Sequence, residues 1–441
     1  MGISGKAFVT DQSLQPDFRE LFITFGKIGL LSFGGPAAQI AMLQRVLVDE
    51  KKWMDQERLI HALNFCMLLP GPEAMQLATY SGWAVKGWKG GLLAGLLFVL
   101  PGAVVMLALS ALYVALGHVD VIAGMLFGLK AAVLAVVFEA LYRMGKRTLA
   151  SGFSYAVAVA AFIAIAFLKL PFPLVVLLAA LAGGLRHLLR RSEAGTSPGE
   201  SVPGAFRDFT RQTLLWGGLW LVPLAALYLA FGSGHVFAAE ATFFSKLAAV
   251  TFGGAYAALS YTAQQAVEHY GWMKPGEMLT GLGLAETTPG PLILVLVFVG
   301  FVGASGLAGM PPLVGGFLGG LIALWFTFVP CFLWILAGAP FVERLRHTRW
   351  LAATLGSITA AVVGVIANLA LWFSLHVLFR EVSDRTVGPL DFPAPVWSTI
   401  DNAAALIAGA AVFLLVVLKL NMPLVLLAAA CLGIAVRLMG F

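Results

Sequence analysis

Residues 32–36 read Ser-Phe-Gly-Gly-Pro and residues 251–255 read Thr-Phe-Gly-Gly-Ala, a separation of 251 − 32 = 219 positions. The same offset carries Lys27 onto Lys246, Trp53-Met54 onto Trp272-Met273, and Pro70-Gly71-Pro72 onto Pro289-Gly290-Pro291. Chance composition does not hold one register across four motifs. Farther on, Pro101 aligns with Pro330 after an insertion of 330 − 101 − 219 = 10 residues, and 168-LKLPFPLVVLL-178 echoes 418-LKLNMPLVLLA-428. The chain reads as a tandem duplication of about 190 residues per copy. Its parts are a first repeat at 1–189, a polar linker at 190–211, an extra helix at 212–232 and a second repeat at 233–441.

The medium around this duplication follows from composition. Of 441 residues, 60% are apolar and 11% charged, against roughly 25% charged in soluble chains. Mean hydropathy is +0.91. Too few polar side chains remain to coat a soluble particle, which excludes a soluble enzyme, a disordered chain and a disulfide scaffold. An all-α polytopic membrane protein is left. A span needs about 20 apolar residues because backbone polar groups find no water in hydrocarbon. Thirteen segments meet that expectation, at about 19–44, 59–84, 91–116, 120–142, 152–168, 171–188, 212–232, 241–264, 277–303, 311–338, 350–375, 398–418 and 422–440. The stretch 376–397 reads as a loop.

Charge orients the reading. Lys plus Arg less Asp plus Glu is 28 − 22 = +6, which in this setting means basic loops against anionic lipid rather than nucleic-acid binding. Arg143, Lys146, Arg147, Arg186, Arg190, Arg191, Arg344, Arg346 and Arg349 fall in cytoplasmic loops if the N-terminus is cytoplasmic and the C-terminus periplasmic. The loops 233–240 and 304–310 hold no Lys or Arg, as suits an outer face. The basic 45–58 loop objects. Its objection disappears if 19–44 and 59–84 are re-entrant hairpins, and both readings stay open. The stretch MGISGKAFVTDQSLQPDF has no apolar core, so no cleavable signal peptide is expected. Cys66, Cys331 and Cys431 stand singly, and neither a metal site nor any cofactor is suggested.

Six membrane elements in the first copy and one extra helix make the second copy start from the opposite side. Inverted repeats of this kind build many secondary transporters. No Walker motif is present. Phe33-Gly34-Gly35-Pro36, Pro70-Gly71-Pro72, Phe252-Gly253-Gly254 and Pro289-Gly290-Pro291 each interrupt an apolar segment, since Pro lacks an N–H and Gly adopts conformations closed to other residues. A single such motif would be a kink. Four, paired by the repeat, point to broken helices whose N-terminal amides face an anion. Lys27 and Lys246 would balance its charge from the two copies, or else snorkel to an interface. Gln39, Asn64, Gln76, Thr287 and Thr288 are neutral groups near the breaks that could hydrogen-bond an oxyanion or one another. Glu286 and Glu73 are the carboxylates for a coupled proton, with a plain ion pair to Lys27 or Lys246 as the alternative. Glu139 and Arg143, four apart, read as a structural ion pair.

At these residues the sequence resembles the chromate ion transporter family. SFGGP followed by Trp53, LLPGP and Pro101-Gly102 is similar to that family's amino-terminal half, and TFGGAY, Trp272 and ETTPGP to its carboxy-terminal half. The resemblance covers nearly the whole chain. It implies a two-domain exporter of chromate in the bacterial inner membrane, driven by the proton motive force and conferring chromate resistance. Sulfate, close to chromate in shape and charge, is an alternative substrate. A passive anion channel and an integral-membrane enzyme are alternative activities, the last without a nucleophile–base set to support it. Oligomeric state is open, a homodimer among the options. Ala255 stands where the first copy has Pro36, which breaks the symmetry of the pattern.

Overall fold

The computed structural model describes residues 16–189, 205–252, 255–339, 349–387 and 390–439. Helices are α1 (Phe18–Leu31), α2 (Gly35–Gln44), α3 (Gln56–Cys66), α4 (Glu73–Leu116), α5 (Asp120–Thr148), α6 (Gly152–Ala166), α7 (Phe172–Leu189), α8 (Ala205–Phe231), α9 (Val236–Val250), α10 (Ala255–Gln264), α11 (Pro275–Glu286), α12 (Val295–Leu307), α13 (Pro312–Gly338), α14 (Arg349–Leu378), α15 (Asn402–Val412) and α16 (Met422–Leu438). An antiparallel hairpin, β1 (Val382–Val387) and β2 (Leu390–Pro395), occupies most of the stretch read as a loop. Among the described residues, α4, α5, α7, α8, α13 and α14 are long and apolar enough to cross a membrane. The exposed Leu214, Val222 and Leu229 of α8 have no protein to bury them, as on a lipid-facing helix. This is a multi-pass membrane protein. Four of the expected segments, 19–44, 59–84, 241–264 and 277–303, each resolve into two helices at the Gly or Pro motifs that interrupt them in the sequence. The polar linker is also shorter than expected, since 205–211 already belongs to α8.

The duplication is visible in backbone detail. Helix α2 ends in a π-turn at Arg45–Glu50 and α10 in one at Gln265–His269. Trp53 N–H donates to the Leu47 carbonyl at 2.9 Å, and Trp272 N–H to the Ala266 carbonyl at 2.8 Å, the same bond 219 positions on. Lys169 and Lys419, in the two Leu-Lys-Leu turns, both hold positive φ, 49° and 52°.

The compact units do not follow the repeats. The first comprises 1–108, 194–255 and 288–348, the second 109–193, 256–287 and 349–441, so each draws on both copies. In the first, the 73–85 arm of α4 folds back on its longer arm at Lys86-Gly87, where the helix is interrupted (Gly87 φ 63°). Glycines make that hairpin close: a Cβ at Gly82 would strike the Gly90 carbonyl. Helices α12 and α13 form the matching hairpin around Gly300 and Gly319. Helices α8 and α9 pack on α13.

In the second unit the copies are exchanged. Helices α6 and α7 of the first copy pack along α14 of the second, and α15 and α16 of the second pack along α5 of the first. Glycine again sets the approach, with Gly128 against the Ala429 carbonyl and Gly364 against the Ala158 carbonyl. Without a hydrophobic drive between helices in lipid, small residues and close backbone packing supply the attraction.

Candidate functional site

Three of the four breaks hold a backbone position that favours glycine. Gly34 and Gly35 hold φ of 89° and 79°, Gly71 127° and Gly290 92°. Pro36 then opens α2, where its missing N–H leaves no helical bond unmade. That first turn of α2 has no side-chain cap.

Within the first unit the breaks meet crosswise. Gly71 N–H donates to the Thr251 carbonyl at 2.8 Å, and Gly290 N–H donates to the Ser32 carbonyl at 2.8 Å. Under the offset of 219, Gly71 maps to Gly290 and Ser32 to Thr251, so one contact is made twice with the copies interchanged. Such reciprocity is the signature of a two-fold relation. It extends outward. The hydroxyls of Ser32 and Thr251 each bond the carbonyl four residues back, Ile28 and Leu247, both at 2.6 Å. Gly102 leaves room for the Pro289 carbonyl, and its counterpart Cys331 sets its sulfur 2.8 Å from where a Cβ on Gly71 would lie.

Some side chains break the symmetry. Gln39 is buried and its amide nitrogen donates to the Gly290 carbonyl at 2.6 Å and to Ser32 at 3.4 Å. The equivalent residue in copy two is Ala258. Gln76 likewise donates to the Pro70 carbonyl at 2.8 Å, and its counterpart is Val295. The Oε1 atoms of both glutamines are buried without a hydrogen-bond partner among the described residues.

The remaining sequence-predicted residues are less gathered. Pro70, Pro72, Thr288, Pro289 and Pro291 are buried at the breaks, whereas Phe33, Asn64 and Thr287 are exposed. Lys27 and Lys246 are exposed on α1 and α9 rather than buried at the crossing. Lys27 lines a shallow hollow with Phe22, Ile23, Gly26, Leu30 and Leu31. Phe252 is half-buried, and Gly253 and Gly254 lie outside the described residues. Glu73 is half-buried in the first turn of α4, where the helix dipole favours a carboxylate.

Glu286 belongs to the second unit. It is buried, and the Tyr256 hydroxyl donates to its Oε1 at 2.9 Å. Arg143 and Glu139 of α5 pair in the same unit. The counterparts of Glu286 and Tyr256 in copy one are Met67 and Ala37, so this buried acid exists once. Tyr256 was not singled out by the sequence reading, nor was Glu240. The latter was placed in the loop 233–240, yet it lies in α9 and is fully buried. The sequence signal was there: a lone acid one residue outside an apolar window. Among the described residues, no group of His, Cys, Asp and Glu could hold a metal ion.

The crossing therefore ties the breaks of the two copies to each other by reciprocal main-chain bonds. A family model described as "chromate transporter" matches residues 19–184 and 239–434, in two stretches that correspond to the two repeats. A chromate transport protein of Pseudomonas aeruginosa is 33% identical over 390 residues, covering 87% of this chain and 88% of that one. A chromate transport protein of Cupriavidus metallidurans is 27% identical, covering 94% and 92%. An uncharacterized transporter of Bacillus subtilis is 32% identical over 153 residues, 77% of its own length and 35% of this chain. No solved structure matches the chain.

Proposed function

The chain belongs to the chromate transporter family, and on that premise we propose that it is a secondary transporter exporting chromate across a bacterial inner membrane, driven by the proton motive force. The observation that carries this reading is the crossed pair of bonds, Gly71 to Thr251 and Gly290 to Ser32. A two-fold-related pair of broken helices has two equivalent ways to pack, and exchange between them opens a central site to one side and then the other. Chromate would shed its hydration shell onto the amides of half-helix N-termini, as the uncapped start of α2 supplies. Lys27 and Lys246 would balance its charge from symmetric positions. Glu286, paired with Tyr256, would carry the coupled proton.

Inverted repeats with re-entrant breaks would fit the charge pattern, and the helix ends of the second unit divide between two faces. In the second unit a cavity of about 560 Å³ is lined by Lys169, Gln264, Glu268, Pro275 and His376. The turn after α6, the end of α10, the start of α11 and the end of α14 thus share one face. Gly183 and Gly184 of α7 lie against Ala353, Thr354 and Trp350 of α14, which sets the α7 terminus on the opposite face. With α1 and α2 as one re-entrant hairpin, the basic 45–58 loop would be cytoplasmic, as the positive-inside rule asks.

Purified protein in sealed vesicles tests the proposal through chromate flux under an imposed pH gradient with sulfate as competitor. Gradient-dependent accumulation of chromate is expected. Flux that only equilibrates chromate would make the protein a channel, and sulfate transport without chromate transport would reassign the substrate.

A further inference from the structure

The first unit holds a second buried acid that the crossing does not use. Glu240, in the second turn of α9, is 0% exposed, and neither carboxyl oxygen has a hydrogen-bond partner among the described residues. Its Oε2 lies 3.0 Å from where a Cβ on Gly319 would be, so the carboxyl is seated directly on the glycine seam of α13. The helices packed against α9 are α8, α12 and α13. Helices α12 and α13 contain no Asp, Glu, Lys, Arg or His. On α8 the near titratable group is Tyr228, whose hydroxyl is engaged with Thr242 at 2.8 Å, while Arg207, Asp208 and Arg211 lie at its other end. On α9 itself Lys246 is exposed, and His235 caps the helix, its Nδ1 accepting from Phe237 N–H. Among the described residues, no cation faces the carboxyl.

An ionised carboxylate without counter-ion or donor is too costly to remain in that place. The seat fits the neutral acid, which α13 admits because Gly319 has no side chain. Ionisation therefore requires α9 to leave the seam or water to enter it. Helix α9 runs about 16 Å from Glu240 to Thr251 at 1.5 Å per residue, and the Thr251 carbonyl holds Gly71 of the opposite copy. The counterpart of Glu240 in copy one is Leu21, also buried, so the acid is an addition to a packing site that the repeat fills with hydrocarbon. We propose that Glu240 is a proton-binding residue of the transport cycle, seated on α13 when protonated and releasing α9, with its break, when it ionises. The assignment deepens the transport reading and rests on it, and it gives the cycle a proton site separate from Glu286.

Two measurements on the full chain decide it. The first is carbodiimide labelling, which modifies protonated carboxyls in apolar surroundings and needs no substrate. Wild type is expected to label at Glu240, more at low than at high pH, and Glu240→Gln to lose that adduct. An unlabelled Glu240, or labelling indifferent to pH, overturns the proposal. The second compares chromate counterflow, which needs no driving force, with accumulation under one unit of pH gradient, which supports about a tenfold ratio for one coupled proton. Glu240→Gln is expected to keep counterflow and lose the accumulation. Unchanged accumulation, or equal loss of both in folded protein, overturns it. Glu240→Leu, the side chain of the repeat mate, serves if the amide fails to fold. Wild type without counterflow would instead sink the chromate reading, while the labelling still decides the residue.

Discussion

Gly71→Ala should damage the protein more than Gly290→Ala, although the repeat makes the two positions equivalent. Both glycines hold φ values that L side chains rarely adopt, 127° and 92°, which costs about 1–3 kcal/mol at either site. Their surroundings differ. A Cβ on Gly71 would lie 2.8 Å from both the Cys331 sulfur and the Gln76 amide nitrogen. The sulfur is buried, and that nitrogen is committed to the Pro70 carbonyl. A Cβ on Gly290 would meet the Leu294 Cδ1 at 3.1 Å, the mobile end of a flexible chain. Overpacking at Gly71 adds about 1–3 kcal/mol, so a total near 2–6 against 1–3 kcal/mol is expected. Thermal unfolding in detergent, followed by size-exclusion fluorescence, orders the variants. Cys331→Ala in the Gly71→Ala background should recover part of the loss, because it removes one of the two clashes and leaves the backbone strain. Equal stability of the two single variants, or no recovery in the double, would refute the account of the crossing.

Two further outcomes follow from the same geometry. Glu50→Cys and His269→Cys sit at equivalent exposed positions of the two π-turns. An impermeant maleimide should reach the first only from the cytoplasmic side and the second only from the outer side, and modification from one common side would abolish the inversion. Lys27→Met and Lys246→Met should each stop chromate flux without loss of folded protein, because both side chains are exposed and neither has an ion-pair partner among the described residues. Wild-type flux in both would remove the lysines from the mechanism.

Much of this was legible in the sequence, because glycine and proline act through the backbone and need no tertiary context to be read. The offset of 219 located all four breaks, and the ends of α1, α3, α9 and α11 fall at them. Reciprocity was not legible. Which carbonyl an amide finds across the fold depends on helices far apart in sequence, as Gly71 and Thr251 are. The turn inside α4 was legible as well: Lys86-Gly87 falls in the connection between the apolar segments 59–84 and 91–116, and the packing of Gly82, Gly90 and Gly91 closes it. Glu240 was lost to the edge of a hydropathy window, which registers how apolar a stretch is and not which face of its helix is buried.

A strictly symmetric inverted pair would make inward- and outward-facing states equal in energy, and a ligand that binds two states equally shifts neither. Direction must then come from side chains that the repeat does not copy. They segregate by copy. The first repeat contributes the buried amides Gln39 and Gln76, where the second has Ala258 and Val295. The second contributes Glu240, Glu286 and Tyr256, where the first has Leu21, Met67 and Ala37. The first copy thus adds buried neutral hydrogen-bonding groups and the second buried titratable ones, over a main-chain contact common to both. Protonation would act on one half of a frame whose two packings are otherwise matched. A small free-energy bias suffices to choose between matched packings, so two buried acids contributed by one copy would be enough to link that choice to protonation.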